Sequence, residues 1–201
     1  MAEQTPLTES AAPIALIAGL GNPGAEHQGD RHNAGFWLVD ELARRCHSAL
    51  KSEVRFHGEV ARLAIDGRDC WVIKPATFMN RSGQAVAALA GFYKIPPEQI
   101  LVVHDELDLA PGTARLKFGG GHGGHNGLRD LGARLGTMYQ RLRLGIGHPG
   151  HKDMVTDYVL GRPPKVERVL IDEAIAASLD VLPLLLDGEV GRAMNQLHSR
   201  E

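Results

Sequence analysis

Ile14–Leu20 reads IALIAGL and Ile100–His104 reads ILVVH. Neither run alternates polar with apolar residues, as a strand with one wet face would; both suit strands covered on two sides. The segments around them carry the covering. Asn33–Cys46 sets Phe36, Val39, Ala43 and Cys46 at helical spacing, and Ser82–Tyr93 does the same with Val86, Leu89, Ala90 and Tyr93. Leu128, Leu131 and Leu135 mark a further helix, Val166–Leu186 a long one containing Pro183, and Arg192–His198 a last one. Val54–Ile65 and Cys70–Ile73 read as strands about an Asp66-Gly67 turn, and Thr113–Phe118 as a shorter strand. Leu142, Leu144 and Ile146 alternate with Arg141 and Arg143, which predicts a half-buried strand with a basic face. Strands interleaved with helices define an α/β fold.

With 201 residues, residues 14–201 are expected to form one domain. Met1–Pro13 (MAEQTPLTESAAP) is polar and acidic, lacks the basic start and apolar stretch of a signal peptide, and reads as a disordered extension. No apolar run approaches membrane-spanning length, and Cys46 and Cys70 form no metal or redox spacing; a cytoplasmic location with reduced thiols is expected. The net charge of −2 is unevenly spread. Pro111–Lys152 holds seven basic residues and one acid, a charge of +6 that leaves −8 for the rest. That pattern predicts a local anion site on an acidic body.

Gly119–Gly127 reads GGGHGGHNG. Glycine adds no core side chain and loses most backbone entropy on folding, so such a run fits a place where backbone closely approaches a ligand. Other polar residues fall where the strands end: Asn22 after the first, Asn80 just beyond Cys70–Lys74, and Asp105 after ILVVH. Open α/β sheets bind ligands outside the carboxyl ends of their strands. Asn33, Asn80 and Asn126 each precede a helical pattern; Asn33 is read as an N-cap, while capping and ligand contact are equally open for the other two.

Gly19–Gly24 (GLGNPG) matches a dinucleotide fingerprint, with Asp40 or Glu41 as a ribose acid, but no helix opens at its glycines. His122 and His125 have no helix to fix them and no adjacent acid, which argues against zinc. HDELD at His104–Asp108 offers either magnesium ligands or one buried acid with two solvated ones. What remains is His32 with Asp105 and carboxamides, a set able to activate water: imidazole takes the proton, carboxylate orients the ring, and amide N–H groups meet the oxyanion.

GLGNPG at 19–24, RHNAG at 31–35, KPATFMNRSG at 74–83, HDELDL at 104–109 and GGGHGGHNGL at 119–128 follow one another in an order that resembles bacterial peptidyl-tRNA hydrolase. RLRLGIGHPG at 141–150 and DYVLGRPP at 157–164 extend the resemblance to roughly Ile14–His198. It implies a single α/β domain with a twisted mixed β-sheet surrounded by helices, monomeric and needing no metal or cofactor. The implied reaction is hydrolysis of the ester joining a peptide to the terminal ribose of tRNA. His32 would be the general base, Asp105 its partner, and Asn22 the residue that positions the carbonyl or stabilises the oxyanion. Asn80 and Asn126 would hold the peptide main chain and the water, Phe78 and Met79 line the peptide channel, and Lys117 and Arg143 clamp a tRNA phosphate. His27 stands at a substrate-contact position where the family has tyrosine, and Asp30 where it has threonine. A catalytically silent RNA-binding relative and a nucleotide-dependent enzyme using GLGNPG are the other readings; retention of His32, Asp105 and the asparagines favours the hydrolase.

Overall fold

Each apolar run lies between two layers of helices, which explains its lack of alternation. The computed structural model describes residues 11–199. Along the chain come β1 (Leu16–Gly19), α1 (Ala34–Arg45), β2 (Lys51–Glu53), β3 (Gly58–Ile65), β4 (Arg68–Pro75), α2 (Ser82–Phe92), β5 (Ile100–Glu106) and β6 (Ala114–Phe118). They continue with α3 (Asn126–Leu135), β7 (Gln140–Gly145), α4 (Val155–Val159), α5 (Lys165–Leu186) and α6 (Val190–His198). Ile17 of β1 and Leu101 and Val103 of β5 pack with α1, α5 and α6. Their neighbours Leu16, Ala18, Ile100 and Val102 pack with α2 and α3. Both faces of the sheet are therefore core, the arrangement that a parallel sheet requires.

The sheet order is β2-β3-β4-β1-β5-β7-β6. β1 pairs in parallel with β4 and β5, and β5 with β7. The β2–β3, β3–β4 and β6–β7 pairs are antiparallel, so the sheet is mixed and the fold is the α/β domain expected. The helices that follow β1 and β4 lie on opposite faces, which opens a crevice at the carboxyl ends of β1, β4 and β5. Close packing narrows that crevice: a Cβ on Gly35 would lie 2.4 Å from the backbone of both Leu20 and Val103. Glycine there lets the start of α1 settle onto β1 and β5, which carries the preceding turn to the end of β5.

Two local expectations change. Val54–Ile65 is not one strand: β2 ends at Glu53, Val54–Phe56 form a 3-10 turn, and His57 adopts a left-handed φ of 51° before β3 begins. The chain must reverse there because Glu53 pairs with Gly58 across an antiparallel ladder. The Asp66-Gly67 turn forms as read, both residues having positive φ, as a two-residue hairpin of the primed type demands. Of the expected disordered extension, residues 1–10 lie outside those described, whereas Ala11 donates its N–H to Gly188 O at 3.0 Å. Among the described residues no helix is long and apolar enough to cross a membrane.

Candidate active site

The crevice is a cavity of about 790 Å3. Asn22, His32, Phe78, Met79, Asn80, Asp105, Lys117, Asn126 and Arg143 all line it, although they come from segments more than a hundred residues apart. His27 does not: its Nδ1 lies 2.7 Å from Asp30 Oδ2, so the two departures from the family pattern are bonded to each other.

His32 sits in the 3-10 turn Arg31–Asn33 that leads into α1. Its Nδ1 donates to both carboxylate oxygens of Asp105, each at 2.9 Å, leaving the lone pair of the neutral ring on Nε2. Burial alone would push this imidazole's pKa down, but the charge and hydrogen bond of Asp105, helped by the charge of Asp30, more than offset it. The pKa stands above the ordinary histidine value. Burial likewise works against ionised Asp105, yet the two imidazoles facing it hold its carboxyl well below the usual range.

The second imidazole belongs to His125, which the sequence reading set aside for want of an adjacent acid. Its Nε2 donates to Asp105 Oδ1 at 2.9 Å. Its Nδ1 accepts from the backbone N–H of Gly127 and Leu128, so His125 is the cap of α3 and Asn126 the first helical residue. The His32 and His125 rings lie 4.8 Å apart. Their nitrogens and the Asp105 carboxylate are close enough to invite a metal. The donor set does not fit one: the lone pair of His125 already receives two backbone N–H groups, and that of His32 is on the nitrogen turned from Asp105.

Asn22 is oriented with the same economy. Its Oδ1 accepts the N–H of Met79 at 2.7 Å, which leaves the Nδ2 hydrogens as its remaining polar function. Asn33 fixes its backbone from both sides: Oδ1 of Asn33 accepts the Asn22 N–H at 2.8 Å, and Nδ2 donates to the Asn22 carbonyl at 2.9 Å. Asn33 thus occupies the N-cap position of α1 without capping it. Its side chain is spent on the next loop instead. Asn80 is exposed within the 3-10 turn Met79–Arg81 and caps nothing; exposed Asn126 accepts from Arg129 Nη1 at 3.1 Å. Phe78 is 63% exposed, offering an apolar ring to whatever enters.

The basic face divides in two. Arg143 is half-buried and Lys117 exposed, both on the cavity rim, while Arg141 is only 4% exposed. Arg141 donates from Nη1 to the carbonyls of Gly119 (3.3 Å) and Gly121 (2.9 Å), and from Nε to His104 Nε2 at 3.3 Å. It fastens the glycine loop rather than facing solvent. His104 donates from Nδ1 to the Asp105 carbonyl at 2.7 Å; burial, with His125 and Arg141 alongside, holds its pKa well below the ordinary value. Sequence spacing places Arg141 and Arg143 on one strand face. It held no sign that one of them would be covered.

The parts so assembled are an imidazole bonded to a buried carboxylate, an amide whose oxygen and backbone are both engaged, and an open cavity with a cationic rim, a polar site at the carboxyl end of an α/β sheet. The peptidyl-tRNA hydrolase family model matches residues 16–201. The peptidyl-tRNA hydrolase of Halorhodospira halophila is 60% identical over 185 residues, covering 92% of this chain and 95% of that protein. That of Neisseria meningitidis is 57% identical over 188 residues, 93% and 98% of the two chains. The crystal structure of peptidyl-tRNA hydrolase from Acinetobacter baumannii superposes with a TM-score of 0.90 at 53% identity, covering 92% of this chain and 94% of that one. The chain belongs to the peptidyl-tRNA hydrolase family, of the bacterial type, and is an enzyme of that family.

Proposed function

We propose that the chain cleaves the ester between tRNA and a peptide, or an N-blocked aminoacyl group, by water activated on His32. Nε2 of His32 takes a proton as the water oxygen attacks the ester carbonyl carbon. The imidazolium so formed is stabilised by Asp105. Negative charge on the carbonyl oxygen is met by the Nδ2–H of Asn22. When the tetrahedral intermediate collapses, the carbon–oxygen bond to ribose breaks and His32 returns the proton to the leaving ribose oxygen. The products are free peptide acid and free tRNA.

Asn80 and Asn126 contact the peptide main chain and the water in this reading, and Phe78 and Met79 form the channel wall. Lys117 and Arg143 meet a tRNA phosphate as charge-assisted donors. His27 acts on the site through Asp30. The enzyme works as a cytoplasmic monomer without metal. The observation that carries the mechanism is the 2.9 Å His32–Asp105 pair beside an Asn22 amide whose oxygen is already committed to Met79. Purified protein should release N-acetylated amino acid from charged tRNA, undiminished by a chelator. No release from a folded sample would overturn the reading, and loss to chelator with recovery on one divalent ion would replace it with a metal mechanism.

A further inference from the structure

Arg31 is not explained by any step above, yet it is among the most heavily bonded residues near the site and is only 7% exposed. Its Nη1 donates to the carbonyls of Tyr158 (3.2 Å) and Arg162 (3.3 Å), and its Nη2 to Glu167 Oε2 at 3.2 Å. The guanidinium carbon sits 4.0 Å from the centre of the Tyr158 ring, and the Arg31 N–H donates to Gly161 O at 3.0 Å. Tyr158 in turn donates its hydroxyl to Ile146 O at 2.6 Å. All of these partners but Ile146 lie in α4, the link after it, or the start of α5. One residue beside His32 therefore holds that whole segment against the crevice.

What it holds there is apolar. Val155, Val159 and Leu160, with Thr156, line the cavity, and Leu160 is 40% exposed. A ribose-phosphate chain would call for donors, and the cavity's cations stand on β6, on β7 and, ahead of α4, at Lys152, whereas the side chains that α4 itself and Leu160 turn to the cavity are aliphatic apart from Thr156. An aliphatic wall continuous with the reacting centre suits a side chain of the esterified peptide. We propose that Arg31 is a positioning residue that sets α4 as an apolar side-chain subsite, and so determines which peptides are cleaved fastest.

The proposal rests on the hydrolase reading, and one experiment separates the two. A single tRNA is loaded with N-acetylglycine or with N-acetylleucine, and kcat and KM are measured for each. The unaltered protein should favour the leucyl substrate in kcat/KM by about tenfold, the scale on which a hydrophobic pocket discriminates. Arg31→Lys keeps the charge but loses the planar fork that reaches three acceptors. It should collapse that preference to about twofold, through a raised KM for the leucyl substrate. Leu160→Ala, which trims the wall itself, should do the same, and Tyr158→Phe, which loses only the hydroxyl bond to Ile146, should do so in part; these two decide the matter if Arg31→Lys does not fold. An unchanged preference, or equal losses of kcat on both substrates, would overturn the subsite. Cleavage of neither substrate by the unaltered protein would overturn the hydrolase reading and the subsite with it.

Discussion

The buried half of the site and its rim are built on opposite principles. Around Asp105 the polar side chains hold one another in place: His32 and His125 both donate to its carboxylate, and Asn33 and Met79 bond the backbone and Oδ1 of Asn22. On the rim, Lys117 and Phe78 are exposed and Arg143 reaches Glu106 only at 4.0 Å. A catalytic centre gains from groups that need no rearrangement as charge develops, whereas a surface for a long polyanion gains from cations that are not already paired. Under the proposed mechanism this contrast would separate turnover from affinity, and mutations on the two sides should fall on different kinetic constants.

The sharpest test is His32→Ala, expected to lower turnover by roughly 10²–10⁴-fold with the fold intact by circular dichroism. Normal turnover in a folded variant would erase the division. Next comes Asn22→Ala, with a loss of about 10²–10³-fold if Nδ2 meets the oxyanion. Should Asn22 matter only as a loop fastener, the melting temperature will fall while turnover holds. On the rim, Lys117→Ala or Arg143→Ala should raise KM for peptidyl-tRNA more than they lower kcat, and flatten log affinity against log salt by about 0.7–0.9 per lost contact. An N-blocked amino acid on a short ribonucleotide lacks the distant phosphate and should be nearly indifferent to them. Equal losses on both substrates would move these cations into the catalytic half.

The smallest effect is expected at Asp30. A general base works when neutral, so a raised His32 pKa means that activity is lost at a higher pH as pH falls. Asp30 contributes to that raising, though less than Asp105. Asp30→Thr should therefore shift the acid limb of kcat/KM to lower pH with turnover at neutral pH largely kept, while Asp105→Asn should shift it further and lower turnover too. An acid limb that stays in place in Asp30→Thr would show that His27 already shields the carboxylate.

Much of this was legible in the sequence because it depends on pattern. Unbroken apolar runs pointed to the two-sided sheet, and polar residues at strand ends to the crevice with Asn22, Asn80 and Asp105 in it. Pairings set only by three-dimensional approach were not legible. The acid that orients His125 lies twenty residues earlier in the chain, so a search for a neighbouring carboxylate could not find it. Asn33 has the right identity and place for a cap, and only the approach of the Asn22 loop diverts its side chain. Arg141 obeys the strand alternation that predicts a solvent face, but the glycine loop folds over it and supplies the carbonyls that make its burial tolerable. Val54–Phe56 has strand-like residues in a place where the chain must turn.

The hydrogen bond from Met79 N–H to Asn22 Oδ1 joins two parts of the site that sequence treats as separate. Met79 belongs to the cavity wall and Asn22 to the loop after β1, yet they share one constraint and so have fewer degrees of freedom than two independent side chains. The amide cannot rotate by half a turn without setting its own NH2 against the Met79 N–H. A displacement of the wall carries the donor with it, so the aim of Asn22 is a property of the wall's backbone rather than of a side-chain rotamer.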